Sequence, residues 1–381
     1  VRICTRWLPA AVNPVVPNIN LNMSFYTRWQ SYRWPVVENL LGTRTKKSVE
    51  NILADASDFK FPEDVITLLS PASDTYRHVI AQQAAQQIQR PIHLYTPLYL
   101  SNYCHNSCTY CGFRVENKIQ RVVLDQTQIE KELQAIAATG VRRVLLVTGE
   151  ERRFAGVTYI AEAVRIAKTL FDHVRIEVQP LNTDDYALLR EAGCEGVYIY
   201  QETYHETNYR LYHPRGMKSH FRHRLETPDR IAMSGISKIG LGVLLGLENW
   251  RVDAFFLAMH AMYLKEAYPK LQIAISFPRI RPAVGVHNKV SDVFESDLHH
   301  LVAVFRWINP DWDIAMSTRE SPDFRNRTLK LGVTSISVGS KTQPGGYLKN
   351  DTAELEQFAV HDNRSAETMR SFLEKNVRMY D

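Results

Sequence analysis

The 381-residue sequence lacks the long apolar runs that would place it in a membrane. A membrane-spanning helix needs roughly 20 consecutive apolar residues, and no stretch of this chain approaches that length. Blocks of like charge are also missing, because 46 basic and 41 acidic residues are scattered along the chain for a net charge of +5. These absences predict a protein that has neither a membrane nor a nucleic acid as its partner.

Cysteine is scarce, and its placement is uneven. The chain has five cysteines, an odd number, and three of them lie within eight residues. Secreted disulfide frameworks use more cysteines, spread along the chain. The pattern therefore favours a reducing compartment, the cytoplasm, and a metal-binding role for the three clustered residues, while Cys4 and Cys194 have no partner at a ligand spacing.

The first 90 residues differ in character from the rest. Residues 1–22 contain three prolines and no acidic residue, and we expect a disordered extension there. Residues 23–90 show apolar positions at helical spacing in 48–53 and 62–69, and an Ala- and Gln-rich stretch at 73–89 indicates one further helix. We therefore predict an N-terminal helical segment at 23–90.

From residue 91 onward, short β-rich runs alternate with amphipathic helical stretches. Eight runs are present, at 92–100, 141–148, 174–180, 196–201, 236–245, 271–277, 311–317 and 334–338. Such alternation predicts right-handed βαβ units, and eight units predict a (β/α)8 barrel of the TIM type. We place this α/β barrel at 91–345 and a C-terminal helical extension, with a helix at 366–376, in residues 346–381.

Active sites of such barrels lie at the carboxyl ends of the strands. Polar and reactive residues follow seven of the eight runs, including Glu150 after the second, Glu202 after the fourth and Arg319 after the seventh. Loops are polar in any case, but the same register in seven places predicts a catalytic mouth at this end of the barrel.

The loop after the first run carries the three clustered cysteines in a Cys-x3-Cys-x2-Cys spacing: Cys104, Cys108 and Cys111. Most iron–sulfur clusters are held by four cysteines, so three thiolates predict a [4Fe–4S] cluster with one open iron. The alternative is a structural zinc ion, for which His105 would have to supply the fourth ligand.

This triad resembles the signature of the radical S-adenosylmethionine superfamily. The resemblance implies that S-adenosylmethionine chelates the open iron and that Phe113, two residues past the third cysteine, abuts its adenine. Thr148-Gly149-Glu150 resembles the element that holds the methionyl amine, and the stretch from Gly242 to Gly246 resembles a glycine element beside the adenine.

A closer resemblance, to the ThiH family of 2-iminoacetate synthases, extends from Met23 to the C-terminus. It is carried by the segments 95–102, 145–150, 177–181, 200–205, 224–230, 276–282, 317–322 and 341–346. The family cleaves the Cα–Cβ bond of L-tyrosine to 2-iminoacetate (dehydroglycine) and 4-cresol for thiamine biosynthesis. The resemblance implies three partners: L-tyrosine, thiazole synthase ThiG and a flavodoxin- or ferredoxin-type electron donor.

The resemblance also implies residue roles. Glu150 would accept from the methionyl ammonium, Arg224 would bind its carboxylate, and Glu177 or Gln179 would serve the ribose region. Arg319 with Ser317 would bind the tyrosine carboxylate, since a guanidinium suits bidentate recognition. Tyr99 would line the substrate pocket. Glu150 and Arg319 could instead pair with other charges of the barrel mouth, and Tyr99 could be a packing aromatic.

Three alternative functions stay open. A hydrogenase-maturation tyrosine lyase needs a second cluster near its C-terminus, and this chain has no cysteine after Cys194. A tryptophan lyase would differ only in pocket shape, and a non-catalytic iron–sulfur scaffold would need neither Glu150 nor Arg319. A metal role for the loop histidines is disfavoured by their irregular spacing, and we expect His205, His213, His220 and His223 to be surface or loop residues.

Overall fold

A computed structural model describes residues 24–55, 59–86, 90–286, 291–348 and 355–376 of the chain. The expected extension at 1–22 lies outside these residues. In the described part, eight parallel strands pair in sequential order, and the first strand also pairs with the last, so the sheet closes into a barrel. The predicted (β/α)8 architecture is confirmed.

All eight predicted strands are present, each within the predicted run or within one residue of it. They are β1 (His93–Ser101), β2 (Arg143–Thr148), β3 (His173–Glu177), β4 (Gly196–Tyr198), β5 (Lys238–Gly242), β6 (Gln272–Ser276), β7 (Asp313–Met316) and β8 (Ser335–Ser337). Most of their residues are buried on both faces, because helices cover the outside and side chains fill the inside. Runs such as β2 are accordingly mostly apolar, whereas β3 (His-Val-Arg-Ile-Glu) and β8 (Ser-Ile-Ser) alternate polar and apolar residues.

Fifteen α-helices occur in the described residues. They are α1 (Phe25–Ser31), α2 (Trp34–Thr43), α3 (Lys46–Ala54), α4 (Glu63–Leu69), α5 (Arg77–Gln86), α6 (Gln126–Ala137), α7 (Val157–Lys168), α8 (Thr183–Glu191), α9 (Glu206–Tyr212), α10 (Phe221–Leu225), α11 (Thr227–Met233), α12 (Trp250–Ala267), α13 (Glu295–Ile308), α14 (Pro322–Thr328) and α15 (Ala366–Asn376). Short 3-10 helices occupy Pro71–Tyr76, Met217–Ser219 and Leu329–Leu331.

The N-terminal helices cover one side of the barrel rather than forming a separate body. Phe25 of α1 is fully buried and stacks on His260 of α12 with 3.8 Å between ring centroids. Arg28 donates to Glu266 of the same helix at 2.6 Å. The helical segment therefore extends the hydrophobic layer around α12 and α13.

One predicted helix is divided. The stretch at 73–89 begins inside the 3-10 helix Pro71–Tyr76 and becomes α-helical only at Arg77, and its last residues, 87–89, lie outside the described part. Two features explain the change. Pro71 supplies no backbone donor, and the Ser73 hydroxyl donates to the carbonyls of Leu68 and Ser70 at 2.7 Å. Side-chain bonds of this kind compete with α-helical hydrogen bonding.

Charged side chains close the amino end of the barrel. Lys238 at the start of β5 forms a buried ion pair with Asp313 at the start of β7. Arg90 reaches the same carboxylate at 2.8 Å, and Arg175 of β3 donates to Glu195 at 2.7 Å. With this end filled by paired charges, the open end is the carboxyl end.

No helix in the described ranges is long and apolar enough to span a bilayer.

Candidate active site

A deep cleft opens at the carboxyl ends of the strands, where the fold rule places an active site. Its walls come from the ends of β1 to β7, the cysteine loop and the segment after β8. The lining includes most of the residues that the sequence singles out: Tyr99, Cys104, Cys108, Cys111, Phe113, Gly149, Glu150, Glu177, Arg224, Ser317 and Arg319.

A break in strand pairing directs the cysteine loop over the cleft. The register between β1 and β2 shifts between Tyr99 and Ser101, the mark of a β-bulge, and a bulge bends its strand and redirects the chain beyond it. Asn102, which is fully buried, then ties the loop back: its amide donates to the Gln120 carbonyl at 2.9 Å and accepts from the Val122 N–H at 2.7 Å. The loop is thus fixed at both ends.

A buried histidine supports the same loop from below. His213 lies in the loop after α9 and is 0% exposed, so it is a loop residue, as expected, but not a surface one. Its Nδ1 donates to the Tyr209 carbonyl at 2.9 Å and its Nε2 accepts from the Tyr110 hydroxyl at 2.7 Å. Burial and the nearby Lys218 lower the pKa of His213 well below its usual range. A neutral imidazole with both nitrogens bonded serves as structural support.

The three thiols are free and share one wall of the cleft. Burial raises the pKa of Cys104 to about 12 and that of Cys108 well above its ordinary value. Among the described residues no group of three His, Cys, Asp or Glu side chains converges as it would on a single metal ion. Thiolates are ligands of both iron–sulfur clusters and zinc, and the three cysteines line the same cleft.

Glu150 lies beside the thiols and is paired with Arg224. The Arg224 guanidinium donates to Glu150 Oε1 at 2.9 Å, and the Asn106 amide donates to Oε2 at 2.7 Å. Burial acts to raise the pKa of Glu150, but the charges of Arg224 and Lys218 outweigh it, so the pKa is lowered. Glu150 is thus paired with another charge of the mouth, and its role toward the methionyl ammonium stays a prediction.

Gly149 is required by a close backbone approach. A Cβ at this position would lie 2.2 Å from the Tyr103 carbonyl oxygen, far inside van der Waals contact. The Gly149 N–H donates to the Ser101 carbonyl at 2.8 Å. The cysteine loop therefore packs directly on the end of β2, which brings Glu150 next to the cysteines.

Lys218 is a buried cation that the motifs did not indicate. Its Nζ donates to Glu202 at 2.7 Å, and both side chains are about one-tenth exposed at 11% and 9%. Glu202 adopts a φ of +72°, a left-handed conformation that costs free energy in a non-glycine residue. The charge of Lys218 acts to lower the pKa of Cys108, against the effect of burial. Lys218 thus brings its positive charge close to the cysteine wall, and Glu202 holds it there.

Glu177 ends β3 and faces the same cleft. Burial, with the neighbouring charge of Glu202, raises its pKa to about 7, although Arg319 and Lys218 act in the opposite direction. Its carboxyl group therefore changes charge near neutral pH.

Arg319 lies in the loop after β7 together with Ser317. Its guanidinium covers the Phe358 ring at 3.3 Å from the centroid and makes one long contact, 3.4 Å, to the Arg279 carbonyl. Burial lowers its pKa. Within the described part of the chain no carboxylate forms an ion pair with it, unlike Arg224 and Arg279, which are paired with Glu150 and Glu320. A buried guanidinium of this kind is a ready anion site.

Two aromatic side chains belong to the apolar cluster against which Cys104 and Cys111 pack. Tyr99 of β1 and Phe113 of the cysteine loop are 4% and 1% exposed and meet edge to face at 5.9 Å. The Tyr99 hydroxyl donates to Oε1 of Gln357 at 2.8 Å. The hydroxyl is thus hydrogen-bonded on the wall of the cleft.

Three residues predicted to bind cofactor do not line the cleft: Gln179, Gly242 and Gly246. Gln179 is buried behind the wall, where its amide donates to the Ala155 carbonyl at 2.8 Å. Gly242 leaves room for the Tyr200 ring, which a Cβ would meet at 2.7 Å, and Gly246 has a φ of +111°. Of the two residues predicted for the ribose region, only Glu177 faces the cleft.

Lys218, Gln357 and Phe358 are the residues that sequence reasoning missed. Lys218 lies in a Tyr- and Arg-rich loop without motif spacing, and Gln357 and Phe358 follow the barrel by more than ten residues. Glu202 was visible only as one of the polar residues at a run end. Neither periodicity nor spacing indicates that a distant segment returns to the mouth.

Known proteins match this chain over most of its length. Residues 98–257 match the family model of the Radical SAM superfamily, and residues 276–376 match that of the Biotin and Thiamin Synthesis associated domain. The chain is 41% identical over 355 residues to the 2-iminoacetate synthases of Salmonella typhimurium and Escherichia coli, covering 92% of this chain and 93% of each relative. A crystal structure of HydG, a maturase of the [FeFe]-hydrogenase, superposes with a TM-score of 0.82 at 30% identity, covering 90% of this chain and 77% of that one.

Proposed function

Since the chain belongs to the 2-iminoacetate synthase family of the radical SAM superfamily, we propose that it cleaves the Cα–Cβ bond of L-tyrosine. The products are 2-iminoacetate (dehydroglycine) and 4-cresol, and the first of them supplies thiazole formation in thiamine biosynthesis. One observation carries this proposal: a single cleft is lined both by three free cysteines and by a buried arginine that has no carboxylate partner among the described residues. A scaffold protein needs no such cation.

The superfamily works with a [4Fe–4S] cluster and S-adenosylmethionine. When bound in this chain, they would supply a 5′-deoxyadenosyl radical, for abstraction of a hydrogen atom from the amino group of tyrosine. In this chain Cys104, Cys108 and Cys111 would be the three cluster ligands. The support lies in their common wall of the cleft and in Gly149, whose missing side chain allows the loop to reach its place.

Charged residues beside the cysteines suit an amino-acid group. Glu150 would accept from the methionyl ammonium of S-adenosylmethionine, and its lowered pKa keeps it ionised for that role. The predicted carboxylate ligand, Arg224, already holds Glu150 and the Tyr200 carbonyl, at 2.9 and 2.6 Å. Lys218 adds a second cation at this wall, so we assign the carboxylate to Lys218 together with Arg224.

Other residues of the same cleft suit a second amino acid. Arg319 would bind the tyrosine carboxylate through its planar fork, with the Ser317 hydroxyl beside it. Phe358 already covers the guanidinium and would exclude water from the ion pair. Tyr99 would orient the amine, and Glu177, with a pKa of about 7, would hold or release a proton within the same cleft.

The related lyases are less well supported. The hydrogenase-maturation lyase requires a second cluster, and the sequence has no cysteine after Cys194. The chain covers 77% of HydG, so about a quarter of that protein has no counterpart in this alignment. The size of the side-chain pocket separates tyrosine from tryptophan lyases, and turnover of the two amino acids side by side distinguishes them.

The experiment is anaerobic reconstitution with iron and sulfide, followed by reduction in the presence of S-adenosylmethionine. We expect 5′-deoxyadenosine, 4-cresol and glyoxylate, the hydrolysis product of 2-iminoacetate, in equal amounts and only with tyrosine present. Release of 5′-deoxyadenosine without tyrosine, or faster turnover of tryptophan, would refute the assignment. Cys194→Ala is the matched control for the ligand variants, because Cys194 is buried outside the cleft.

The partners belong to the same proposal. A flavodoxin- or ferredoxin-type protein would deliver the electron, and thiazole synthase ThiG would take up 2-iminoacetate before water hydrolyses it. If a protein of this type is the electron donor, turnover should continue when reduced flavodoxin replaces the chemical reductant. Addition of ThiG should lower the glyoxylate yield while leaving the yield of 4-cresol unchanged.

A further inference from the structure

The backbone at Glu202 is held in a strained conformation by contacts on both sides. Its φ of +72° lies in the left-handed region, which disfavours residues that carry a Cβ. A residue stays in such a conformation only where its surroundings fix it there. On one side, the Glu202 carbonyl accepts from the Leu244 N–H at 2.8 Å, which ties it to the chain after β5. The other side depends on the residues that follow Glu202.

Those residues are fixed by Asp253, in the first turn of α12. Asp253 Oδ1 accepts from the Tyr204 N–H at 2.7 Å and from the Thr203 hydroxyl at 3.0 Å. The Thr203 hydroxyl oxygen in turn accepts from the His205 N–H at 3.1 Å. Asp253 is 1% exposed, so these bonds are shielded from water. The chain that leaves Glu202 is therefore attached to a rigid helix.

The conformation of Glu202 in turn decides where Lys218 places its charge. Lys218 Nζ donates to Glu202 Oε1 at 2.7 Å, and its backbone N–H donates to the Asn106 side chain at 3.0 Å. A lysine side chain has many rotamers, and a carboxylate bonded to its end selects one of them. The position of the ammonium group within the cleft thus depends on Glu202.

We propose that Asp253, which is not among the residues that line the cleft, is a positioning residue for the binding of S-adenosylmethionine: it holds Glu202 in its left-handed conformation and so directs Lys218 to the cysteine wall. This inference rests on the proposed function, in which Lys218 binds the carboxylate of S-adenosylmethionine, and adds to it a residue from outside the cleft.

A carboxyl group with two hydrogen bonds also stabilises the fold, so the test needs a matched acid whose partners lie elsewhere. Asp229 of α11 is such an acid. Its Oδ1 accepts from the Tyr263 hydroxyl at 2.6 Å and from the Tyr268 hydroxyl at 3.0 Å, and neither tyrosine lines the cleft. Asp229→Ala therefore removes two hydrogen bonds to one oxygen, as Asp253→Ala does, without changing the backbone at Glu202.

Two substitutions at Asp253 separate its hydrogen bonds from its charge. Both bonds end on one oxygen, so the amide oxygen of Asp253→Asn can accept both of them. Burial raises the pKa of Asp253 well above its ordinary value, which makes a neutral amide a close substitute. Asp253→Ala removes the acceptor, so the backbone after Glu202 is free to relax toward a right-handed conformation.

The test measures the Kd of S-adenosylmethionine for the reconstituted, unreduced holoenzyme by equilibrium dialysis. We expect the Kd to rise about fivefold in Asp253→Ala and to stay within about twofold of wild type in Asp253→Asn. The rise should be smaller than in Lys218→Met, because Asp253 acts only through that lysine. Asp229→Ala should lower the thermal unfolding midpoint, as Asp253→Ala does, and keep the wild-type Kd. Iron content identifies the variants that have loaded the cluster.

The route through Lys218 is tested by a double substitution. In a protein that already carries Lys218→Met, Asp253→Ala should leave the Kd unchanged, because the cation that it positions is absent, whereas independent effects would multiply. If Asp253→Ala does not load iron, Thr203→Val takes its place in both comparisons. It removes one of the two bonds to Asp253 and should raise the Kd at least about threefold.

A wild-type Kd in iron-loaded Asp253→Ala, an equal rise in Asp253→Asn or Asp229→Ala, or a further fivefold rise in the Lys218→Met background would each overturn the inference. An unchanged Kd in Lys218→Met alone would overturn it as well. Failure of the proposed function is a separate result. It would appear as wild-type enzyme that binds S-adenosylmethionine and does not convert tyrosine, whereas the Kd is measured without tyrosine and without reduction.

Discussion

Replacement of Glu177 by glutamine tests the electrostatics of the cleft without changing its shape. The carboxyl group at the end of β3 is buried beside Glu202, and its pKa is raised from an ordinary value of 4.5 to about 7. Glutamine fills the same space and carries no charge at any pH. The difference between the two proteins therefore reports the free-energy cost to the fold of ionising Glu177.

The sign and size of the effect come from linkage between protonation and folding. An acid whose pKa is raised in the folded state contributes stability that is fully present below about pH 4.5 and is lost as the pH rises through about 7. The interval between these values corresponds to about 3 kcal/mol. Water in the open cleft screens part of it, so we expect the unfolding free energy of Glu177→Gln, relative to wild type, to rise by about 2 kcal/mol between pH 5 and pH 8.

Urea unfolding of the iron-free proteins, followed by circular dichroism at half-unit steps of pH, measures this difference. The control repeats this comparison, with and without Glu177→Gln, in a protein that also carries Glu202→Gln. Removal of the neighbouring negative charge should make the rise in relative unfolding free energy between pH 5 and pH 8 smaller. A difference that stays constant from pH 5 to pH 8 would refute the reasoning and show that Glu177 ionises in the cleft as it does in water.

Four further substitutions test the site. Cys108→Ala should lose bound iron and all cleavage of S-adenosylmethionine, while Cys194→Ala should keep both. Iron analysis and 5′-deoxyadenosine release measure these two properties, and retained cleavage in Cys108→Ala would rule out a ligand role for Cys108. Arg319→Lys keeps the charge but loses the planar fork, so the KM for tyrosine should rise by at least about tenfold, and an unchanged KM would remove the arginine from the substrate site. Lys218→Met should weaken S-adenosylmethionine binding, measured by equilibrium dialysis, by about tenfold or more, whereas unchanged affinity would assign the carboxylate to Arg224 alone. Gly149→Ala should lower the unfolding free energy by about 1–3 kcal/mol and reduce iron loading, because the added Cβ would lie 2.2 Å from the Tyr103 carbonyl oxygen. An unfolding free energy equal to that of wild type would contradict the close packing.

The barrel was predictable because its signal is local. Each strand is a short and largely buried β-rich run, and each is separated from the next by a helical stretch, so eight repeats of one pattern indicate the closed sheet. The difference between a predicted and an observed helix is also local in origin. The 3-10 helix at Pro71–Tyr76 arises from a proline and a serine hydroxyl that compete with α-helical bonding.

From position alone the site was predictable where residues come soon after a strand, whereas Arg224, which lies in α10, was indicated only by the family resemblance. Cys104, Glu150 and Arg319 come immediately after β1, β2 and β7, and a parallel barrel brings such positions to one end. Gln179 follows β3 just as closely, yet its side chain is buried behind the wall and donates to the Ala155 carbonyl. Register along a strand end tells which loop a residue occupies and does not tell which way its side chain turns.

The sequence by itself determined the fold class, the cysteine motif and the family resemblance, since each is written in neighbouring residues. Only the tertiary structure decided which charges pair across the mouth: Arg224 with Glu150, Lys218 with Glu202, and Arg319 with no carboxylate among the described residues. Only it brought Gln357 to the Tyr99 hydroxyl, 258 residues away along the chain. Such contacts form through the closure of the barrel and the return of a distant segment, and no local pattern of residues encodes them.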